Sequence, residues 1–123
     1  MDKAAAVRAE LRGPALDLRH EIPNVMRAYA QLSVAALEPG DLSAETKQLA
    51  ALAIAITREC DGCIVAHIRH LVRLGVTRRQ VAELIGVAIS MNGGPGTVWG
   101  PRALSAFDQE LEEFRSSVGS PKT

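Results

Sequence analysis

Aromatic side chains make up only 3% of this sequence, so its core cannot rest on stacked rings and must come from Ala, Leu, Ile and Val. Such small side chains favour close helix–helix approach and association between subunits. A charge imbalance is missing too. Fourteen basic residues cancel fourteen acidic ones, which removes the net field expected of a protein that binds nucleic acid or an anionic membrane. Long hydrophobic runs are also absent. The longest, Leu49–Ile56, falls far short of the roughly 20 residues needed to span a bilayer. The N-terminal MDKAAAVRAELRG is charged and amphipathic, with none of the apolar stretch of a secretory signal. These absences point to a cytoplasmic protein without nucleic-acid or membrane partners.

No segment alternates polar and apolar residues with period two, so the expectation is an all-α fold. The chain reads as one domain over residues 1–123, with a frayed tail at about 116–123. About six helices are expected. The first covers Lys3–Arg12 and stops at Gly13-Pro14. The second begins near Pro23 and ends near Leu37, before Pro39-Gly40. Ser43 caps the third, which is apolar on most sides and reads as a buried central helix. The fourth starts near Cys60 and ends at Gly75, a residue suited to a left-handed cap. Thr77 and Gln80 form a capping box for the fifth, which runs through about Ile89. Gly93-Gly94-Pro95-Gly96 then makes a tight connection to a last helix from about Thr97 to Phe114. It lacks the Lys and Ser/Thr of a phosphate-binding loop.

What the sequence does hold is concentrated chemistry. The stretch CDGCIVAHIRH, residues 60–70, carries both cysteines and two of the three histidines. At a helix start, Cys60 lies near the N-cap and Cys63 in the first turn, where free N–H groups and the helix dipole favour a thiolate. His67 follows Cys63 by four residues and lies about 20° from Cys60 around the axis, placed to accept a thiol proton. His70 is a further turn away and reads as a bystander. These residues alone leave three readings open: a thiol redox pair, a metal site, and a pair of small core residues. Zinc takes four tetrahedral ligands, and one helix cannot wrap Cys60, Cys63, His67 and His70 around an ion, so His20, a carboxylate or another subunit would have to contribute. No cofactor is called for. Trp99, Met91 and Tyr29 could line a substrate pocket, although isolated bulky residues are more often core or interface. Arg69, Arg73, Arg78 and Arg79 make a local basic patch.

The stretch KQLAALAIAITRECDGCIVAHIRHLVRLGVTRRQVAELIGVAISMNGGPGTVWGPRAL, Lys47 to Leu104, resembles the carboxymuconolactone decarboxylase family. Its C-x-x-C-x-x-x-H signature is similar to that of the alkylhydroperoxidase D-like branch. The resemblance implies an oligomeric helical bundle, a homotrimer or homohexamer, that reduces hydroperoxides and is recharged by an external dithiol reductant. It implies that Cys63 is the peroxidatic cysteine, that Cys60 resolves it as a disulfide, and that His67 belongs to a proton relay. The relay's glutamate position, twelve residues before Cys60, is Gln48 here, and an amide cannot shuttle a proton. Glu45, one turn earlier, and Glu59, beside Cys60, are possible substitute bases. Gly62 replaces a histidine found in some members. Possession of the C-x-x-C pair argues against lactone decarboxylation. The alternatives are a metal-binding protein and a catalytically silent helical assembly on the same scaffold.

Overall fold

A computed structural model of the chain describes residues 2–119. Within them lie six helices and no strand: α1 (Lys3–Glu21), α2 (Pro23–Leu37), α3 (Ala44–Thr57), α4 (Asp61–Arg73), α5 (Arg78–Asn92) and α6 (Gly94–Gly119). The all-α expectation holds.

Helices α3 to α6 form the body. Leu52 and Ile56 of α3, Ile68 and Leu71 of α4, Val81 of α5 and Phe107 of α6 are all at most 2% exposed and pack into one cluster. Full burial of each such side chain contributes about 1.5–3 kcal/mol before the entropy of ordering it. Two glycines on the inner face of α6 set how close it lies to α5. A Cβ on Gly96 would fall 2.9 Å from Ile89 Cα, and one on Gly100 would fall 2.7 Å from Ile85 Cγ2. Gly96 and Gly100 thus mark a close helix crossing, and the glycine-rich stretch makes the tight connection between α5 and α6 expected from sequence. Gly93 turns the chain at φ 65°, and α6 starts at once at Gly94, earlier than Thr97.

Three other expectations change. Helix α1 does not stop at Gly13-Pro14 but continues to Glu21. Proline removes a backbone donor and crowds the carbonyl four residues back, but residues 9–21 of α1 are exposed, so water can serve the Glu10 carbonyl. The helix ends where Ile22, disfavoured from the helical region by Pro23, takes φ -130° and ψ 62°. Helix α3 is central, yet its outer face stays open: Ile54 is 60% exposed. Helix α6 runs through Gly119, so residues 116–119 belong to it; the rest of the expected tail lies outside the described residues.

Helix α2 has no buried residue. It is held at its C-terminal end by Lys47 of α3, whose ammonium donates to the carbonyls of Ala36 and Glu38 at 3.1 and 2.7 Å.

Candidate active site at the start of the fourth helix

The site begins in the turn between α3 and α4. Glu59 takes a left-handed φ of 54°. Its N–H reaches the carbonyl of Ile56, and the N–H of Cys60 reaches that of Ala55, both at 3.1 Å. This is a Schellman motif with glutamate where glycine is usual. Cys60 is therefore both the last residue of that motif and the N-cap of α4. Its sulfur accepts from the Cys63 N–H at 3.2 Å, so one of the free donors of the helix start is aimed at sulfur. Two helices meeting within four residues hold the cysteine in place.

Cys60 and Cys63 are joined in a disulfide, with Cα atoms 5.2 Å apart, inside the usual range for such a bridge. Cys63 is exposed and Cys60 half-buried, so the second sulfur is the more accessible one. Asp61, between them in the first turn, accepts from the Gly62 N–H. On its other side, Gly62 faces α1: a Cβ there would fall 2.9 Å from Leu11 Cδ1. This covering contact joins residues far apart in sequence, and no spacing in the chain signals it.

His67 is half-buried on the same helix, and its Nδ1 lies 2.8 Å from Oε1 of Gln48. Gln48 is only 6% exposed because it shares the inward stripe of α3 with Leu52, Ala55 and Ile56. A polar group buried there needs a partner, and the imidazole supplies one. Burial, and secondarily the charge of His70, push the His67 pKa below its ordinary value of 6.5. His70 thus acts on the site electrostatically, although it is exposed and a turn away. Glu45 lies in the first turn of α3, partly buried, and the His67 hydrogen bond goes to Gln48. Among the described residues, no group of three or more His, Cys, Asp or Glu is placed to hold a metal ion.

The residues considered as pocket lining do not converge. Trp99 borders a cavity of about 90 Å³ between α1, α4 and α6, beside Asp61 and Ile64, with Arg102 stacked 4.7 Å from its ring centre. Met91 and Tyr29 stand on other surfaces, 81% and 66% exposed. The basic patch is largely neutralised: Arg78 makes a paired contact with Asp108, Arg69 lies 3.6 Å from Glu110, and Arg79 lies 4.0 Å from Glu83.

Comparison with known proteins agrees with this architecture. Residues 23–111 match the model of the carboxymuconolactone decarboxylase family. An uncharacterized protein of Cupriavidus necator is 38% identical over 70% of this chain and 76% of its own length. An uncharacterized protein encoded in the cox locus of Paracoccus denitrificans is 35% identical over 67% of this chain and 74% of its own. The crystal structure of a carboxymuconolactone decarboxylase family protein from Legionella pneumophila, in its apo form, superposes with a TM-score of 0.86. It is 34% identical and covers 90% of this chain and 99% of its own.

Proposed function

The chain belongs to the carboxymuconolactone decarboxylase family, and from that membership we propose a thiol-dependent peroxidase and disulfide oxidoreductase. The observation that carries the reading is the Cys60–Cys63 disulfide at the N-terminus of α4, with His67 one turn beyond Cys63.

In the reduced state, the Cys63 thiol gives its proton to His67 and the thiolate attacks the terminal oxygen of a hydroperoxide. The O–O bond breaks, alcohol leaves, and Cys63 becomes a sulfenic acid. The Cys60 thiol then attacks that sulfur, water leaves, and the disulfide closes. An external dithiol restores both thiols by exchange and is itself oxidised. The exposure of Cys63 supports its role as the attacking sulfur, since a substrate oxygen must reach it.

Among the described residues no helix is long and apolar enough to cross a membrane. We place the protein in the cytoplasm, whose reducing conditions suit a pair that must be returned to dithiol after each turnover. We also assign it a homo-oligomeric state, trimer or hexamer, because α2 and Ile54 present apolar surface that a single chain leaves uncovered.

The test is mass spectrometry of reduced protein treated with one equivalent of hydroperoxide. Formation of the 60–63 disulfide is expected in the parent protein, a trapped sulfenic acid in Cys60→Ser, and neither in Cys63→Ser. Undiminished peroxide consumption by Cys63→Ser would overturn the assignment.

A further inference from the structure

The contact between Gln48 and His67 constrains the proton chemistry in a way that a carboxylate at position 48 would not. An amide oxygen carries lone pairs and no proton. At 2.8 Å from Gln48 Oε1, the His67 Nδ1 must therefore be the donor. In a neutral imidazole one nitrogen donates and the other accepts, so the lone pair resides on Nε2. The opposite tautomer would set two acceptors against each other unless the amide turned over to present its NH2, and Gln48 is 6% exposed and packed on the inward stripe of α3.

A carboxylate would accept the same Nδ1–H bond and do two further things. It would stabilise the imidazolium by its charge, and it could take the proton onward. The amide does neither. Around His67 the groups that bear on its charge are His70 on its own helix and the uncharged Gln48 on α3. Both leave the ring neutral.

We propose that Gln48 is a positioning residue that fixes His67 as the Nδ1–H tautomer and closes the proton route toward α3, so that His67 works through Nε2 alone. The proposal rests on the peroxidase reading for its chemical use. In that chemistry Nε2 takes the Cys63 thiol proton, and the thiolate sulfur bonds to the terminal peroxide oxygen as the O–O bond breaks. The proton on Nε2 then passes to the departing alkoxide, which leaves as alcohol. The ring ends as it began, and no second base is consumed. Neither Glu45 nor Glu59 is required for this cycle.

The test reads the resting protein, so it is independent of turnover. In reduced protein labelled with ¹⁵N at histidine and held above pH 7, two-bond ¹H–¹⁵N spectra are expected to show His67 Nδ1 as the protonated nitrogen and Nε2 as the bare one. An Nε2–H tautomer, or an even average of the two, overturns the proposal. Gln48→Glu supplies the second arm. It should raise the midpoint of the His67 titration by about 1–3 pH units through the new charge, while Gln48→Leu, checked for folding by circular dichroism, should release the ring into mixed tautomers. A midpoint unmoved in Gln48→Glu, or a tautomer unchanged in Gln48→Leu, also overturns it. Loss of the peroxidase reading would leave these spectra unaltered, and failure of the tautomer result would leave peroxide-driven disulfide formation standing.

Discussion

The guanidinium Nε of Arg8, on α1, lies 2.8 Å from a carboxylate oxygen of Glu110, on α6, which is 4% exposed. Arg69 approaches the same carboxylate from α4 at 3.6 Å, and the other arm of Arg8 reaches Glu113. Burial works against the Arg8 charge, but the two carboxylates outweigh it and hold the guanidinium above its ordinary value. A carboxylate so buried depends on its cations. Arg8→Met keeps most of the stem and removes the charge, and should cost about 1–3 kcal/mol in urea unfolding. Arg79→Ala, which breaks an exposed pair, should leave stability unchanged. Equal stability of the two variants would show that this cluster does not anchor α1.

The turn that places Cys60 contains a removable strain. Glu59 is non-glycine in the left-handed region, whereas Gly75 fills the equivalent place after α4 at φ 78°. Both turns have the paired hydrogen bonds of a Schellman motif. Glu59→Gly should raise unfolding stability by about 1 kcal/mol, and Gly75→Ala should lower it by a similar amount. Thermal melts of the reduced proteins check both signs. Destabilisation by Glu59→Gly would mean that the glutamate side chain contributes more than the backbone strain it imposes.

Three other glycines separate close packing from loose contact. At Gly100 an added Cβ meets Ile85 in the core, and at Gly96 it meets the backbone of Ile89. Alanine at either should cost about 1–3 kcal/mol by forcing α5 and α6 apart. At Gly62 the obstacle is the tip of Leu11, a side chain 45% exposed that can swing away. Gly62→Ala should therefore be neutral or stabilise by up to about 1 kcal/mol through helix propensity. Ranking the three by chemical denaturation tests the distinction.

Local chemistry explains which features were legible in the sequence. Ser43, Pro23, the Thr77–Gln80 box and Gly75 act within one helical turn, and each marks the helix end it was expected to mark. Gly13-Pro14 gave the wrong end because breaker residues state a cost, and an exposed helix lets solvent meet it. The cysteines and His67 could be placed together because they share one helix. The Gln48–His67 bond, the Leu11–Gly62 contact and the Arg8–Glu110 pair each need two helices docked in a particular register. No period within a single helix encodes that, and only the first pair was reachable from the sequence, through the family resemblance that sets position 48 in a relay with His67.

Uncovered apolar surface makes its own prediction. On α2, Val25, Tyr29 and Leu32 recur at helical spacing and are 60–66% exposed, with Arg27 the single charged residue among its fifteen. A second chain is the occupant expected under the oligomer proposal. Sedimentation velocity should show a trimer or hexamer for the parent protein and a smaller species for a Val25→Glu/Leu32→Glu variant. A monomeric parent protein would refute it.

Acid sensitivity follows from the depressed pKa of His67, with a sign that can be worked out. Its folded value lies below 6.5, chiefly through burial and then through His70. Between those two values the unfolded chain binds more protons than the folded one, so stability rises with pH across that window. The contribution is complete above about pH 6.5 and is lost as pH falls toward the folded value. Carboxylates titrate in the same direction, so the informative quantity is the difference in unfolding free energy between parent protein and His67→Gln. That difference should be level above pH 7 and should shrink on acidification below 6.5, as the parent loses stability that the variant does not. Peroxide-driven oxidation of Cys63 should still be base-assisted at pH 7, because the ring is neutral there. A difference that grows in acid would mean that the folded protein prefers the charged imidazole, and would remove His67 as the resting base.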